Sequence, residues 1–246
     1  MRKKILNQPI DILSMEDALY RAKAALINPK QFKIITLNPE MIIYALQNIE
    51  MQAAINNSHL IVPDGTGIVW AYKVLNPENS QNIERIPGIE LAEKILGAGN
   101  NLTKKVAIFG STIEVLEKVT LFIKNKFPNI QLVKTINGFM GKENDEKIAG
   151  EIASVSPDIV LVALGTPRQE IWINKYGSLF PKSIVIGIGG SLDVWANKKP
   201  RAPTWARKLN IEWLFRILID PKRVPRIVRS LPVFVLLILK RKYLEN

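Results

Sequence analysis

Six short runs of this 246-residue chain are mostly apolar, without a regular polar alternation, and stretches of helical spacing separate them. The runs are Lys33–Leu37 (KIITL), His59–Val62 (HLIV), Lys105–Phe109 (KVAIF), Ile130–Lys134 (IQLVK), Ile159–Ala163 (IVLVA) and Ser183–Ile188 (SIVIGI). Successive residues of a strand point to opposite faces, so a strand without polar alternation leaves neither face for water. Such strands, interleaved with helices, specify a mostly parallel sheet with helices on both faces. Helices are expected near residues 14–27, 65–75, 87–96, 112–126, 144–154 and 167–176, the first opened by a capping box from Ser14 to Asp17. Pro39 and Pro87 each suit a first helical turn. The expected fold class is α/β.

Ligands of open α/β sheets bind outside the carboxyl ends of the strands, so the polar residues there carry the search for a site. Residues 62–71 read VPDGTGIVWA, a lone carboxylate between an apolar run and a helix, with Gly65 and Gly67 beside it. Glycines let the chain turn sharply and let another molecule approach. Asp64 is therefore a candidate catalytic group, and a helix cap is its alternative role. Thr36 and Asn38 end another strand, and Phe109-Gly110-Ser111-Thr112 leads from a strand into a helix with amides and hydroxyls suited to a phosphate. Leu164-Gly165-Thr166-Pro167-Arg168-Gln169-Glu170 repeats the strand, turn, helix pattern, and Gly189-Gly190-Ser191-Leu192-Asp193 does so again. Each alone is compatible with ordinary capping. Together, Thr36, Asn38, Asp64, Ser111, Gln169 and Asp193 are expected to share one rim of one sheet.

Several chemistries are excluded or disfavoured by what the chain lacks. Without cysteine there is no thiolate nucleophile, disulfide or iron–sulfur cluster. The single histidine, His59, opens a strand and reads as packing, which leaves no His-rich metal site. No Asp-x-Asp pair is present to hold a divalent cation on a diphosphate, so arginines or helix N-termini must stabilise any departing phosphate. No dinucleotide glycine fingerprint follows Phe109, which weighs against a nicotinamide oxidoreductase.

The net charge of +12 is unevenly spread: residues 198–246 hold 13 basic and 3 acidic residues, leaving 21 and 19 for residues 1–197. Pro200–Pro203 (PRAP) marks the boundary. The tail mixes apolar pieces with arginines, and Pro221, Pro225 and Pro232 are expected to break it into short pieces. Its longest apolar run, Leu231–Leu239, is about half a membrane span. Two readings follow: a segment lying on an anionic membrane surface, or a helical hairpin packed on the body. The tail is too apolar and too interrupted by proline for a groove-reading helix, so no nucleic acid is expected as partner. The N-terminal stretch is too short in apolar residues for a signal peptide, and a cytoplasmic protein is expected.

VPDGTGIVWA, Arg85-Ile86-Pro87-Gly88, Asn137-Gly138-Phe139, LGTPRQEIW and GIGGSLDVWANKKPRAPTWARKLNIEWLFR fall in the order found in the WecG/TagA/CpsF glycosyltransferase family, which the chain resembles from about residue 5 to about 230. The resemblance, most to its N-acetylmannosaminyltransferase branch, implies a Rossmann-like domain, here residues 1–197, and a C-terminal appendage, residues 198–246, that touches the membrane and completes the site. It implies transfer of an N-acetylmannosamine-type sugar from UDP to N-acetylglucosamine on a polyprenyl diphosphate, with inversion, without metal and without cofactor. Such an enzyme would be peripheral on the inner face of the cell membrane. By motif position Asp64 matches the catalytic base, Thr36 and Asn38 pocket residues, and Arg85 and Gln169 substrate-contacting positions. Phe139 stands where the family often has a Tyr stacked on uracil, and Asp193 matches the nucleotide end. Ser111, Gly165 and Arg168 are assigned to substrate or nucleotide binding, and Arg216, Arg223 and Arg226 of the tail to the diphosphate. The donor is expected to be the neutral N-acetylmannosamine sugar rather than its uronic acid, which would need an extra basic contact. Oligomeric state, a homo-oligomer included, stays open.

Overall fold

A computed structural model describes residues 1–78, 83–209, 212–219 and 224–244, without the side chains of residues 207, 208, 216, 217, 219 and 226. Six parallel strands form the central sheet in the order β4-β3-β8-β7-β5-β6. They are β3 (Phe32–Leu37), β4 (Leu60–Pro63), β5 (Lys105–Gly110), β6 (Gln131–Ile136), β7 (Ile159–Ala163) and β8 (Ile184–Gly187). Apart from β6, which is only partly buried, their apolar character has a direct cause in the packing. Ile34, Val106, Ile108, Ile159, Leu161 and Ile186 enter a core on one face. Their neighbours Ala107, Phe109, Val160 and Val162 enter a second core on the other face, and Ile35 and Leu37 a third.

Helices α1 (Met15–Ile27), α5 (Gly88–Asn101) and α6 (Ile113–Lys126) supply the first core. Helices α2 (Pro39–Ala45), α3 (Ile49–Asn56) and α4 (Thr66–Leu75) close the opposite face over β3 and β4. Helices α7 (Asp145–Ser154) and α8 (Arg168–Tyr176) do so over β5, β7 and β8. Shorter helices α9 (Ser191–Trp195) and α10 (Thr204–Lys208) lead to α11 (Glu212–Ile219) and α12 (Val224–Leu244). The chain leaves β5 toward β6 on one side, whereas it leaves β7 toward β8 on the other. That divergence makes a crevice at the carboxyl ends of β5 and β7.

The N-terminal residues, unassigned from sequence, pair as an antiparallel hairpin of β1 (Arg2–Ile5) and β2 (Gln8–Asp11). Its Asp11 carboxylate accepts from the Ile61 amide at 2.9 Å and pairs with Arg2 at 2.8 Å, which covers the β4 edge of the sheet.

Of the three expected breaks in the tail, Pro221 lies outside the described residues, and the other two are corrected by α12, which runs unbroken through Pro225 and Pro232. Pro225 lies in the first turn, where its missing N–H has no intrahelical partner to lose. Pro232 and Val228, four residues before it, are both exposed, where a missing intrahelical hydrogen bond leaves no group in the core unpaired. Phe234 and Ile238, both fully buried, hold the helix against α2 and α4. Among the described residues no helix is long and apolar enough to cross a membrane.

Candidate active site

Asp64 follows β4 directly, and its amide still bonds the Leu37 carbonyl at 2.8 Å, so the sheet itself fixes its position. Gly65 then turns the chain at φ +95, a conformation that side-chain-bearing residues rarely adopt, and begins α4. The amide of Ile86 bonds the Pro63 carbonyl at 2.8 Å, which brings the Arg85 loop to the same strand end. Arg85 donates to Glu212 of α11 at 2.5 Å, and both side chains are largely shielded.

Two cavities meet here. A narrow one of about 100 Å³ is lined by Thr36, Gly190, Ser191, Lys199 and Arg201. A wider one of about 410 Å³ is lined by Asn38, Glu40 and Arg85 at its polar end and by Trp70, Trp213 and Phe234 on its apolar walls. Asp64 and Glu212 line both. Charges in the narrow chamber come in pairs, Lys199 with Asp193 at 3.6 Å and Arg201 with Glu90. Asn38 combines both roles weighed for such residues: its Oδ1 caps α2 through the Met41 amide at 3.0 Å while it lines the wide chamber.

A second group of the expected residues gathers at the β5–β7 crevice. The Ser111 amide bonds the Ala163 carbonyl at 3.2 Å, and the Ser111 carbonyl accepts from the Gly138 amide at 2.9 Å. Phe139, next in the chain, is 77% exposed, and an exposed aromatic ring can stack on a flat ligand. Gly165, at φ +78, turns the chain after β7. Arg168 is spent on this loop: it donates to the Gly138 carbonyl at 3.0 Å and to Asp145 at 2.8 Å. It steadies the segment carrying Phe139.

The remaining expected residues fall elsewhere. Gln169 is only 3% exposed and lies behind the Gly189 turn, lining neither chamber. Asp193 stands in α9 and holds Lys199 rather than facing the narrow chamber itself. Arg223 and the side chains of Arg216 and Arg226 lie outside the described residues. His59 begins β4's run at the other end of the sheet, where its Nδ1 accepts from the Lys33 amide at 3.1 Å. Burial and nearby Lys33, Lys30 and Arg2 push its pKa down. Sequence reading passed over Lys199, Arg201 and Glu212, although all three lie in the long C-terminal motif; nothing local announces that the chain folds back onto Asp64. Among the described residues no group of three or more acidic or histidine side chains is gathered so as to hold a metal ion.

The model of the Glycosyl transferase WecG/TagA/CpsF family matches residues 3–246. The chain belongs to this family. It is a glycosyltransferase, and Asp64 stands where its two cavities meet. Among similar WecG/TagA/CpsF members is a Bacillus subtilis (strain 168) protein named N-acetylglucosaminyldiphosphoundecaprenol N-acetyl-beta-D-mannosaminyltransferase. It is 34% identical over 209 residues, 85% of this chain and 79% of that protein. A Staphylococcus aureus (strain NCTC 8325 / PS 47) protein of the same name is 39% identical over 209 residues, 85% of this chain and 80% of its own.

Proposed function

We propose that the enzyme transfers N-acetylmannosamine from UDP-N-acetylmannosamine to the 4-hydroxyl of N-acetylglucosamine on undecaprenyl diphosphate, as in assembly of the wall teichoic acid linkage unit. The observation that carries this reading is the shared wall of the two chambers. A narrow chamber edged by Lys199 and Arg201 and a wider, more apolar one meet at a single strand-end carboxylate, Asp64. A nucleotide sugar reaching from the β5–β7 crevice suits the first, and a lipid-linked sugar suits the second. The two similar proteins named above carry the acceptor and the transferred sugar in their names.

In this reading Asp64 takes the proton of the acceptor hydroxyl as its oxygen bonds the anomeric carbon. The bond from that carbon to the UDP oxygen breaks on the opposite side, and UDP leaves with the electron pair. One base facing away from the leaving group gives inversion. Lys199 and Arg201 lie where the departing charge needs stabilising, and Phe139 offers its ring to the uracil. Metal independence rests on residues: the sequence has no Asp-x-Asp pair, and the described residues gather no ligand cluster. Beyond Lys199 and Arg201, which this reading assigns to the departing diphosphate, no further cation lines the narrow chamber among the described residues, which favours a neutral donor sugar over a uronic acid.

Residues 1–197 would supply the donor side and residues 198–246 the acceptor side and the membrane contact. Arg216, Arg223 and Arg226 are placed by charge and sequence on the lipid diphosphate. The exposed Trp205, Leu209, Trp213, Leu214 and Leu218 suit the cytoplasmic membrane surface. The test offers the full chain either UDP-N-acetylmannosamine or the corresponding uronic acid, with a polyprenyl-diphosphate N-acetylglucosamine acceptor and excess EDTA. The neutral sugar should be transferred at least about tenfold faster, with EDTA making no difference. Faster transfer of the uronic acid, or loss in EDTA restored by magnesium, would contradict the reading.

A further inference from the structure

Glu170 stands in the first turn of α8, 2% exposed, and touches neither chamber. One oxygen, Oε1, accepts from Gln169 Nε2 at 2.7 Å and from Thr166 Oγ1 at 3.4 Å. The other, Oε2, is buried without a hydrogen-bond partner among the described residues. A buried carboxyl with half its acceptor capacity unmet costs stability, and an apolar side chain of the same volume would avoid that cost. A costly group kept in a core points to a use other than stability.

That use is visible one residue away. The Gln169 amide donates to Glu170 through Nε2 and accepts from the Gly189 amide through Oε1 at 3.1 Å. The two contacts have opposite polarity, so they fix which way the amide faces. A Cβ at Gly187 would stand 2.8 Å from Gln169 Nε2, so the end of β8 has room for this amide only because residue 187 is glycine. Gly189 is the pivot of the turn that carries Ile188, Gly190 and Ser191 into the wall of the narrow chamber.

We propose that Glu170 is a positioning residue for the donor: through the Gln169 amide it fixes the Gly189 turn and so the wall of the narrow chamber. This rests on reading that chamber as the nucleotide sugar's. Glu170 touches no substrate and takes no part in the bond changes. Without its oxygen, Gln169 Nε2 loses its partner, the amide is free to reverse, and Gly189 loses its acceptor. Misplacement of a binding group by about 1 Å can cost on the order of 100-fold.

The experiment uses the full chain with Glu170→Met, which keeps the volume but removes the acceptor, and Glu170→Gln, which keeps an oxygen for Gln169. UDP binding is measured by calorimetry, kinetic constants for donor and acceptor by transfer assay, and stability by thermal unfolding. Glu170→Met should unfold at the same or a higher temperature while UDP affinity falls and donor KM rises about tenfold or more. Acceptor KM should stay within about threefold, and Glu170→Gln should recover most of the donor affinity. A Glu170→Met protein that folds and binds UDP like the wild type would overturn the proposal and leave the chamber's assignment standing. Failure of Glu170→Gln to recover donor affinity, with its stability intact, would also overturn it. Wild-type protein that does not bind UDP would overturn both.

Discussion

Burial pushes the Glu170 carboxyl up to about 7 from an ordinary 4.5, with nearby Glu40 adding to the rise. Between those two values the folded chain holds a proton that the unfolded chain has released. Stability is therefore greatest below the lower value and falls as pH rises through the window, by an amount on the order of 3 kcal/mol, before levelling off above it. Urea midpoints measured at pH 5 and pH 8 should show this loss in the wild type and much less of it in Glu170→Gln. Equal pH dependence in the two proteins would contradict the assignment. Asp64 is the opposite kind of residue: half-exposed at a strand end, fixed by the backbone and facing open cavities. The contrast was only half legible in the sequence. A lone acid between glycines at a strand end draws attention. Gln169 and Glu170, equally polar and at an equally suggestive turn, prove to be buried, because the glycines of the neighbouring strand end admit them beneath the turn.

At the scale of elements, five of the six sheet strands were readable because each sends successive apolar residues into different cores, β6 being only partly buried. The N-terminal hairpin was not. Its turn places Leu6 and Asn7 at φ +45 and +67, the mirror-image turn usually announced by Asn-Gly, and Leu-Asn gives no such signal. Helix α12 was misjudged for a related reason, since propensity counts the prolines whereas burial of Phe234 and Ile238 decides the outcome. The pairing of Arg85 with Glu212 joins a loop to α11 across more than a hundred residues, a contact no local pattern reveals. Removing one member of such a shielded pair costs on the order of 3 kcal/mol. Glu212→Ala should lose about that much by denaturant unfolding, along with at least about tenfold in turnover. The charge-exchanged pair Arg85→Glu with Glu212→Arg should regain part of the stability and none of the turnover, because Arg85 also faces the wide chamber. Full recovery of turnover by the exchange would reduce the pair to a structural clamp.

Across the whole molecule charge and polarity are unevenly divided. Residues 1–197 are nearly neutral, while the last 49 carry +10 of the +12 net charge and an exposed row of tryptophan and leucine side chains. Each basic residue near an anionic bilayer contributes about 1 kcal/mol. Binding to vesicles containing phosphatidylglycerol should therefore weaken steeply as salt is raised, and binding to neutral vesicles should be slight. Equal binding to both would assign the tail's charge to some other partner. In the proposed reading the lipid-linked acceptor comes from that surface and the nucleotide sugar from the sheet's crevice, and the two chambers meet at Asp64 and Glu212. The most direct measurement is turnover of Asp64→Asn in the full chain, with calorimetric UDP binding on the same sample. The amide keeps the shape and cannot accept the proton, so turnover should fall about 10²–10⁴-fold while UDP affinity stays within about threefold. Turnover within about threefold of the wild type would place the base elsewhere.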